Sequence, residues 1–405
     1  MQQLQSLRFL LLMCVLLFVG CGGGGGGGRS AGDEIAEESP VSFQLGAHYY
    51  HWFPSNFSHG YVRATLLPQQ EPALGEYNSR DPRVAAQHIE WAASAGIDFF
   101  TLDWWPTRPQ QNSAIDEGFL RAPNLSKIKF CIFYETGDLG FSATRGGTFF
   151  GPNEVSRFVS DMKSLAGRYF NHPQYLTIRG KKVVVLYITR TLAGEFESAF
   201  ALARDVVREA GFELFLVGDE VFWNVSEARR DGVAITQVPQ RDRIKLFDAI
   251  TAYNLYEGAY LHHSGYAAES QFIAEVNGIF GRYKGAAGDV PLFPSIIPGY
   301  NDRGVRPRQN HYPIPRQYAA GESATSLFEE MYERVLVRNL DQNTPVGFIT
   351  SWNEWNEDTA IEPIMPSAAT ARDSSSTGDF FTQGYQYQGV GEGYLAALRR
   401  LRFGR

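Results

Sequence analysis

Residues 346–357 read Val-Gly-Phe-Ile-Thr-Ser-Trp-Asn-Glu-Trp-Asn-Glu, an apolar strand that runs directly into two carboxylates, Glu354 and Glu357. Near-continuous apolar runs are typical of parallel strands that are buried on both faces. Similar runs precede this one, and the strand candidates span residues 44–52, 97–105, 128–136, 182–189, 213–220, 247–254, 290–300 and 346–355. Amphipathic segments with helical spacing separate most of these runs.

The helix candidates lie at residues 83–95, 155–166, 196–207, 270–283, 327–339 and 392–401. Alternating strands and helices indicate the α/β class, and eight strands predict a (β/α)8 TIM barrel in a single domain. An open, doubly wound sheet is the alternative, but no G-x-G-x-x-G or P-loop sequence opens a helix. Two long polar loops, 301–324 and 366–389, should lie on the face that carries the active site of a barrel.

Polar and aromatic side chains gather at the carboxyl ends of the predicted strands, whereas the strand starts carry few comparable groups. The active site of a barrel lies at these carboxyl ends. We therefore expect a substrate-binding site there, with the candidate residues Tyr49, Tyr50, Asp103, Trp104, Trp105, Tyr134, Glu135, Tyr253, Asn254, Tyr300, Trp352 and Asn353.

Glu354 and Glu357 are the candidate catalytic residues. Their three-residue spacing lets both side chains face one direction if the chain turns helically after the strand. Paired carboxylates commonly cleave glycosidic bonds. An isolated E-x-x-E would more often be the acidic first turn of a helix. The surrounding tryptophans and asparagines, together with the position at a strand end, favour the catalytic interpretation.

Composition and motifs argue against several other classes of protein. The formal net charge of −7, without long Lys/Arg runs, argues against nucleic acid as a partner. His48 and His51, or the adjacent His262 and His263, do not form a recognised metal-binding motif. The chain also lacks the G-x-S-x-G sequence of serine hydrolases. We expect neither a metal nor another cofactor.

The N-terminal segment predicts export from the cytoplasm. Residues 1–20 contain a short apolar run typical of a signal peptide, and Val19-Gly20-Cys21 resembles a bacterial lipobox, although Phe18 replaces the usual Leu. Cys21 is therefore the candidate lipidation site, with an ordinary cleaved signal peptide as the alternative. Residues 21–40 form a Gly-rich flexible tether, and residues 41–405 the catalytic domain. This organisation predicts a lipid-anchored protein of the bacterial cell envelope, periplasmic or at the outer-membrane surface, with no other membrane contact.

Several segments resemble glycoside hydrolase family 99, the endo-acting α-mannosidases and α-mannanases, and related proteins of bacterial polysaccharide clusters. The segments are His48 to Trp52, Gly75 to Ser79, Ala95 to Asp98 with Asp103 to Trp105, His172 to Val184, and Trp352 to Pro363. The resemblance extends over roughly residues 43–400. The chain departs from the family pattern at Asp358, where the family usually has Gly, and at Asn356, which replaces a common His.

The resemblance implies retaining, endo-acting hydrolysis of α-linked, mannose-type glycans. Glu354 would act as a base on the sugar 2-hydroxyl, which attacks the anomeric carbon and forms a 1,2-anhydro sugar. Glu357 would protonate the leaving oxygen and then deprotonate the attacking water. In this scheme Glu354 must be ionised and Glu357 must hold a proton. Two alternatives remain: a surface glycan-binding lipoprotein with weak or no catalysis, and a polysaccharide-assembly enzyme on the same barrel.

Overall fold

A barrel of parallel strands forms the centre of the protein. The computed structural model describes residues 42–404 except 143–146, 222–228, 231–232, 235–238, 257–264, 310 and 320. The barrel strands are β1 (Gln44–Tyr49), β2 (Phe99–Trp104), β3 (Lys129–Tyr134), β4 (Lys181–Leu186), β5 (Leu214–Asp219), β6 (Ala249–Thr251), β7 (two segments, Leu292–Phe293 and Ser295–Ile296) and β8 (Val346–Ile349). Seven of them lie within the predicted runs and β4 begins one residue before its run, which confirms the (β/α)8 class.

The barrel closes through the two segments of β7. The first segment pairs with β6 and the second pairs with β8, while β8 in turn pairs with β1. Pro294 separates the two segments because proline has no N–H group to donate to a ladder. Its carbonyl oxygen still accepts a hydrogen bond from the Phe348 amide at 2.9 Å. The nine parallel strand segments therefore form a nearly closed barrel with eight strand positions.

Helices follow the strands and cover the outside of the barrel. They are α1 (Pro82–Ser94), α2 (Pro109–Glu117), α3 (Pro152–Arg168), α4 (Phe196–Glu209), α5 (Arg241–Ile244), α6 (Glu269–Ala287), α7 (Ser326–Met331, continued by the π-helix Tyr332–Val337) and α8 (Gly393–Phe403). Three of them begin with proline, whose fixed φ suits the first helical position. The sequence analysis missed α2, which is polar, and α5, which is a single turn.

Successive side chains of a strand point to opposite faces, and this alternation divides the strand residues between two environments. His48 and Thr101 face the barrel interior, where the His48 Nδ1 atom lies 2.7 Å from the Thr101 hydroxyl. Aromatic rings fill the rest of the interior, and His48 stacks on Phe348 with ring centroids 5.3 Å apart. The neighbours of these residues in sequence, such as Tyr49, face the helices. The barrel interior is thus a packed core.

Additional strands lie outside the barrel. The predicted long loop at 366–389 is bordered by an antiparallel ribbon of Ile364–Thr370 and Tyr387–Gly391, which the sequence analysis did not foresee. The other short strands are Phe141–Ser142, Gly147–Phe150, Thr177–Ile178, Ala193–Gly194, Arg229–Arg230 and Val233–Ala234. In the part of the chain that the structure describes, no helix combines the length and apolar character that a bilayer span needs. The expected signal peptide (1–20), the tether (21–40) and the lipidation site Cys21 lie outside the described residues.

Candidate active site

A cavity of about 280 Å³ opens at the carboxyl ends of the barrel strands. The connections after β1, β2, β3, β4, β6, β7 and β8 all contribute side chains to it. Its lining consists of Tyr50, Trp52, Asn56, His59, Trp105, Glu135, Tyr187, Tyr253, Tyr256, Val305, Arg306, Glu354, Asn356 and Glu357. The cavity thus brings together Glu354 and Glu357 with four of the expected binding residues, namely Tyr50, Trp105, Glu135 and Tyr253.

Consecutive turns after β8, rather than a regular helix, place both glutamates in the cavity. The Glu354 amide donates a hydrogen bond to the Ser351 hydroxyl at 2.7 Å. The Glu354 carboxylate accepts a hydrogen bond from the backbone N–H of Asn356 at 2.9 Å. The Glu357 carboxylate accepts a hydrogen bond from the Arg306 guanidinium, also at 2.9 Å. These local bonds fix the two carboxyl groups in one pocket without helical geometry.

The free protein favours a proton on Glu354. Burial, reinforced by the negative charge of Glu357, raises the pKa of the Glu354 carboxyl well above its usual range. The nearby guanidinium of Arg306 only partly offsets this rise. Arg306 forms ion pairs with Glu357 and Asp302 instead. This protonation differs from the expected mechanism, in which Glu354 is ionised and Glu357 holds the proton.

The contacts of Asp358 explain how the chain tolerates a side chain at the position where the expected family pattern has glycine. Its φ of 51° lies in the left-handed region that favours glycine. The Asp358 carboxylate is buried between two guanidiniums, at 2.6 Å from Arg63 and 3.2 Å from Arg316. Burial opposes ionisation of Asp358, but the two arginines together outweigh it and hold its pKa below the usual range. The substitution thus adds an ion-pair cluster directly behind Glu357.

Asn356, the second departure from the family pattern, also fastens a loop. Its side-chain amide donates hydrogen bonds to the carbonyl oxygens of Asn56 at 3.0 Å and Gly60 at 2.8 Å. Its side-chain oxygen accepts a hydrogen bond from the Asn56 amide group at 2.8 Å. Asn356 therefore holds the connection after β1 against the turn that carries the two glutamates.

Asn353 supports the site from below and does not line the cavity. Its side-chain oxygen accepts a hydrogen bond from the Tyr50 amide, and its side-chain amide donates to the Tyr50 carbonyl, both at 2.8 Å. The same amide donates to the Tyr77 hydroxyl at 3.0 Å. In the structure Asn353 therefore clamps the backbone of Tyr50 instead of lining the cavity as a substrate-binding residue.

Aromatic rings form one wall of the cavity. Tyr50 stacks on Trp52 with ring centroids 4.3 Å apart, and Trp105 lies 6.0 Å from Trp52. The Tyr50 hydroxyl donates a hydrogen bond to the Tyr253 hydroxyl. Ring faces next to hydroxyl groups suit sugars, whose C–H faces pack on aromatic rings while their hydroxyls form hydrogen bonds.

Tyr300 and Asn254, two more expected binding residues, lie one layer behind this lining. Tyr300 stacks on Tyr256 with ring centroids 4.0 Å apart. The Asn254 side chain donates hydrogen bonds to the hydroxyls of Tyr256 at 2.9 Å and Tyr187 at 3.3 Å. Both residues thus orient tyrosines that reach the cavity.

Asp103 and Glu135 form a second, buried carboxyl pair. Burial raises the pKa of Asp103 to about 8, against the opposing effect of hydrogen bonds to Trp105 and Glu135. Burial and the charge of Asp103 also raise the pKa of Glu135. A hydrogen bond between two carboxyl groups requires one of them to be protonated. Asp103 also accepts a hydrogen bond from the Trp105 indole at 2.5 Å, so it positions both Glu135 and a ring of the cavity wall.

Four other expected binding residues point away from the cavity. Strand alternation turns Tyr49, Trp104 and Tyr134 toward the helices, whereas Trp352 lies in the irregular segment after β8. The Tyr49 hydroxyl is 3.1 Å from His88 of α1, and the Tyr134 hydroxyl donates to Asp161 of α3 at 2.9 Å. Trp104 stacks on Tyr134, with centroids 5.3 Å apart. Trp352 packs against His88 and Phe100. These four side chains belong to the core between strands and helices, and their expected position in the substrate-binding site is corrected accordingly.

Several lining residues escaped the sequence analysis. They are Trp52, Asn56, His59, Tyr187, Tyr256, Val305, Arg306 and Asn356. Trp52 ends a predicted strand run and Tyr187 lies two residues before the end of another, and the period of two would have placed Trp52 on the same face as Tyr50. Arg306 lies in the long polar loop after β7, which the sequence correctly placed on this face. Irregular backbone gives no period from which its side-chain direction could be read.

A parallel barrel with a carboxyl pair in an aromatic cavity is typical of glycoside hydrolases. Comparison with known proteins identifies the family. The model of glycosyl hydrolase family 99 matches residues 50–379, and the chain belongs to that family.

The curated relatives are distant but extend over most of the chain. Glycoprotein endo-alpha-1,2-mannosidase of Rattus norvegicus is 22% identical over 380 residues, covering 86% of this chain and 73% of the relative. Glycoprotein endo-alpha-1,2-mannosidase-like protein of Homo sapiens is 22% identical over 352 residues, covering 80% of this chain and 66% of the relative. The chain is thus similar to endo-α-mannosidases across its catalytic domain.

Solved structures support the same fold. A glycoside hydrolase-like protein superposes with a TM-score of 0.64 at 21% identity, covering 90% of this chain and 97% of that chain. The family 99 endo-alpha-mannosidase from Bacteroides thetaiotaomicron, in complex with bis-tris-propane, gives 0.57 at 18% identity, covering 88% and 95%.

Replacing Asp358 with asparagine should destabilise the protein. Asp358→Asn leaves the buried guanidiniums of Arg63 and Arg316 without their counter-charge, and removing one partner of a buried ion pair costs about 3 kcal/mol or more. Urea unfolding measures this loss. Asp205→Asn, which removes an exposed pair with Arg208, is the matched control and should cost less than about 1 kcal/mol. Equal losses for the two variants would contradict a supporting role for the buried cluster.

Replacing Glu354 with glutamine should stabilise the protein, and more so at high pH. The pKa of Glu354 in the folded protein lies above its value in the unfolded chain, which is about 4.3. Between those two values the folded state binds more protons, so wild-type stability falls as the pH rises, by up to about 1.4 kcal/mol per pH unit. Glu354→Gln lacks this titration and should gain stability relative to wild type from pH 5 to pH 8.

Urea unfolding at both pH values measures the effect of Glu354→Gln. Glu76→Gln, at an exposed carboxylate, is the control and should show the same difference from wild type at pH 5 and pH 8. A difference from wild type that does not depend on pH would show that the surroundings of Glu354 do not raise the pKa of its carboxyl group.

Proposed function

We propose that the protein is a retaining, endo-acting hydrolase of α-linked, mannose-type glycans. The observation that carries the proposal is the joint position of Glu354 and Glu357 in one aromatic cavity at the carboxyl ends of the barrel strands. The similarity to endo-α-mannosidases supports the choice of sugar and of linkage type.

The first step of the proposed reaction forms a 1,2-anhydro sugar. The Glu354 carboxylate removes the proton of the 2-hydroxyl, and the resulting oxygen attacks the anomeric carbon. The bond from this carbon to the leaving oxygen breaks, and Glu357 donates its proton to that oxygen. Two carboxyl groups close to one sugar ring can perform both proton transfers.

The second step opens the anhydro ring. Glu357, now ionised, removes a proton from water, and the hydroxide attacks the anomeric carbon. The bond between this carbon and the 2-oxygen breaks, and Glu354 returns its proton to that oxygen. Two successive inversions at the same carbon give net retention.

The glutamate pair needs one proton in total throughout this sequence. In the free protein burial favours that proton on Glu354, whereas the first step requires it on Glu357. Substrate binding must therefore move the proton within the pair. Arg306 contributes to one half of this shift, because its charge favours the ionised form of Glu354.

Glutamine substitutions at the two positions should give different kinetic defects. Glu354→Gln should reduce hydrolysis of an α-mannan oligosaccharide by about 10³-fold or more, because the 2-hydroxyl loses its base. Glu357→Gln should retain the first step on substrates with a good leaving group, which need no proton from the enzyme. The measurement is oligosaccharide release from a panel of α-linked glycans, together with release of an aryl leaving group.

Glu76→Gln is the control for these experiments and should hydrolyse the panel at the wild-type rate. Near-wild-type rates for both site variants on a natural glycan would refute the assigned roles. Tight glycan binding without hydrolysis by the wild-type protein would favour the glycan-binding lipoprotein, and a requirement for an activated sugar donor would favour polysaccharide assembly.

We also propose that the enzyme is anchored to the bacterial cell envelope by a lipid on Cys21. The support is the lipobox-like Val19-Gly20-Cys21 and the Gly-rich segment behind it. In a bacterial host, Cys21→Ala should lose incorporation of a labelled fatty acid and its place in the membrane fraction. Cys14→Ala, within the apolar run, should keep both. Labelling that persists in Cys21→Ala would overturn the proposed anchor.

A further inference from the structure

A buried carboxylate lies behind Arg306 in the loop after β7. The side chain of Asp302 is fully buried, and its Oδ2 atom lies 3.0 Å from the Arg306 guanidinium and 2.7 Å from Nδ1 of His311. The proposed reaction assigns no role to Asp302. Because this carboxylate shares its arginine with Glu357, it can act on the reaction without touching the substrate.

A tight turn holds Asp302 and Arg306 together. The backbone N–H groups of Val305 and Arg306 donate hydrogen bonds to the Asp302 carbonyl oxygen at 3.0 Å and 2.7 Å. The preceding residue, Asn301, donates its backbone N–H to the carbonyl oxygen of Glu357 at 2.8 Å. The loop after β7 therefore contacts both the backbone and the side chain of Glu357, and this fixes the position of Asp302 relative to the active site.

One nitrogen of Arg306 serves two carboxylates. Its Nη1 atom lies 3.0 Å from the Asp302 carboxylate and 2.9 Å from the Glu357 carboxylate. A guanidinium that lies beside a single carboxylate favours the ionised form of that group. Asp302 supplies a second negative charge on the same nitrogen, which offsets the charge of Arg306. Glu357 is thereby better able to take up a proton.

Asp302 is suited to supply a constant negative charge. Burial opposes its ionisation, but the hydrogen bonds and charges of His311 and Arg306 together outweigh burial and hold the pKa of Asp302 below its usual range. Arg303 is a further cation near this carboxylate, and its guanidinium donates hydrogen bonds to the carbonyl oxygens of Phe380 and His311. Asp302 therefore stays ionised in the pH range in which the glutamate pair exchanges protons.

Other titratable groups surround Glu357 from several connections of the barrel. They are Glu354 on its own turn, Tyr187 after β4, Tyr253 after β6 and His59 after β1. Burial raises the pKa of both tyrosine hydroxyls, so they carry no charge near neutral pH. All four groups are retained when Asp302 is replaced, and a change in pH dependence would therefore report the loss of the Asp302 charge.

We propose that Asp302 is a positioning residue for the reaction, which holds Arg306 beside Glu357 and offsets its charge so that Glu357 can accept the proton that the first step requires. This inference rests on the proposed function, because it concerns the same glutamate pair. Substrate binding must move a proton from Glu354 to Glu357, and the charge of Arg306 alone opposes its arrival on Glu357. Asp302 reduces this opposition.

Asp302→Asn tests the offset. The variant should fold, because it keeps an oxygen that can accept both hydrogen bonds and leaves Glu357 as the counter-charge of Arg306. Without the charge of Asp302, the glutamate pair should lose its single proton at a lower pH. For an α-mannan oligosaccharide, the alkaline limb of kcat/KM should therefore move down by about 1 pH unit, a loss of about 10-fold on that limb. For a substrate with a good leaving group, which needs no proton from the enzyme, kcat/KM should not fall.

Further variants separate charge from structure. Arg306→Met should move the alkaline limb to higher pH, and adding Asp302→Asn to it should have little further effect, because the charge that Asp302 offsets is gone. Asp302→Ser removes the same charge with a smaller side chain and should reproduce the displacement if the asparagine variant does not fold. Asp379→Asn is the matched control, because it removes an exposed negative charge from the loop after β8, and it should keep the wild-type profile.

Carbon-13 NMR titration of the glutamate carboxyl groups follows Glu357 without a substrate, and Glu357→Gln identifies its signal. A titration of Glu357 displaced to lower pH in Asp302→Asn, in a protein whose wild type hydrolyses no glycan, would retain the inference and refute the proposed function. Hydrolysis with an undisplaced alkaline limb, or a loss that is equal on both substrates at every pH, would overturn the inference and retain the function. Neither hydrolysis nor displacement would overturn both.

Discussion

The geometry of the active site depends on the ion pairs that the buried Asp358 carboxylate forms with Arg63 and Arg316. Arg63 comes from the one-turn helix Val62–Thr65 after β1, and Arg316 comes from the loop after β7. Arg63 also donates hydrogen bonds to Gln70 at 2.5 Å and to the Gln388 carbonyl at 3.3 Å. Arg316 donates to the carbonyl oxygens of Asp358 at 2.8 Å and Ala360 at 3.0 Å. One side chain thus joins the turn after β8 to two other connections, those after β1 and β7.

This rigid support holds groups that are unfavourable in the free protein. Asp103, Glu135, Glu354 and Glu357 are buried or nearly buried at the mouth of the barrel, and Arg306 contacts only one of these four carboxyl groups through a direct ion pair. Desolvated carboxyl groups raise the free energy of the folded state unless they hold protons. The apolar rings that fill the barrel beneath them supply the compensating stability. The site therefore lowers the stability of the folded protein locally, and the surrounding fold compensates for this, as is common for catalytic groups.

The sequence was a good guide to the barrel and a partial guide to the site. Eight apolar runs located all the barrel strands, because burial on both faces leaves a continuous apolar signal. The same signal identified the carboxyl ends of the strands but not the direction in which each side chain points there. The sequence therefore grouped Tyr49 and Trp104 with residues that face the cavity. Strand alternation would have separated them. Arg306 and Asn356 could not be assigned, since their directions depend on loop contacts with residues far away in sequence.

The clamp between Asn353 and Tyr50 has a consequence for how the molecule is made. Its two residues are 303 positions apart, and β1 pairs with β8 along the same seam. While the chain is being synthesised, the first strand emerges long before the last one and has no partner on that side. The cavity cannot exist until almost the whole polypeptide has left the ribosome. No N-terminal fragment can carry the active site, and premature termination anywhere before residue 353 removes it completely.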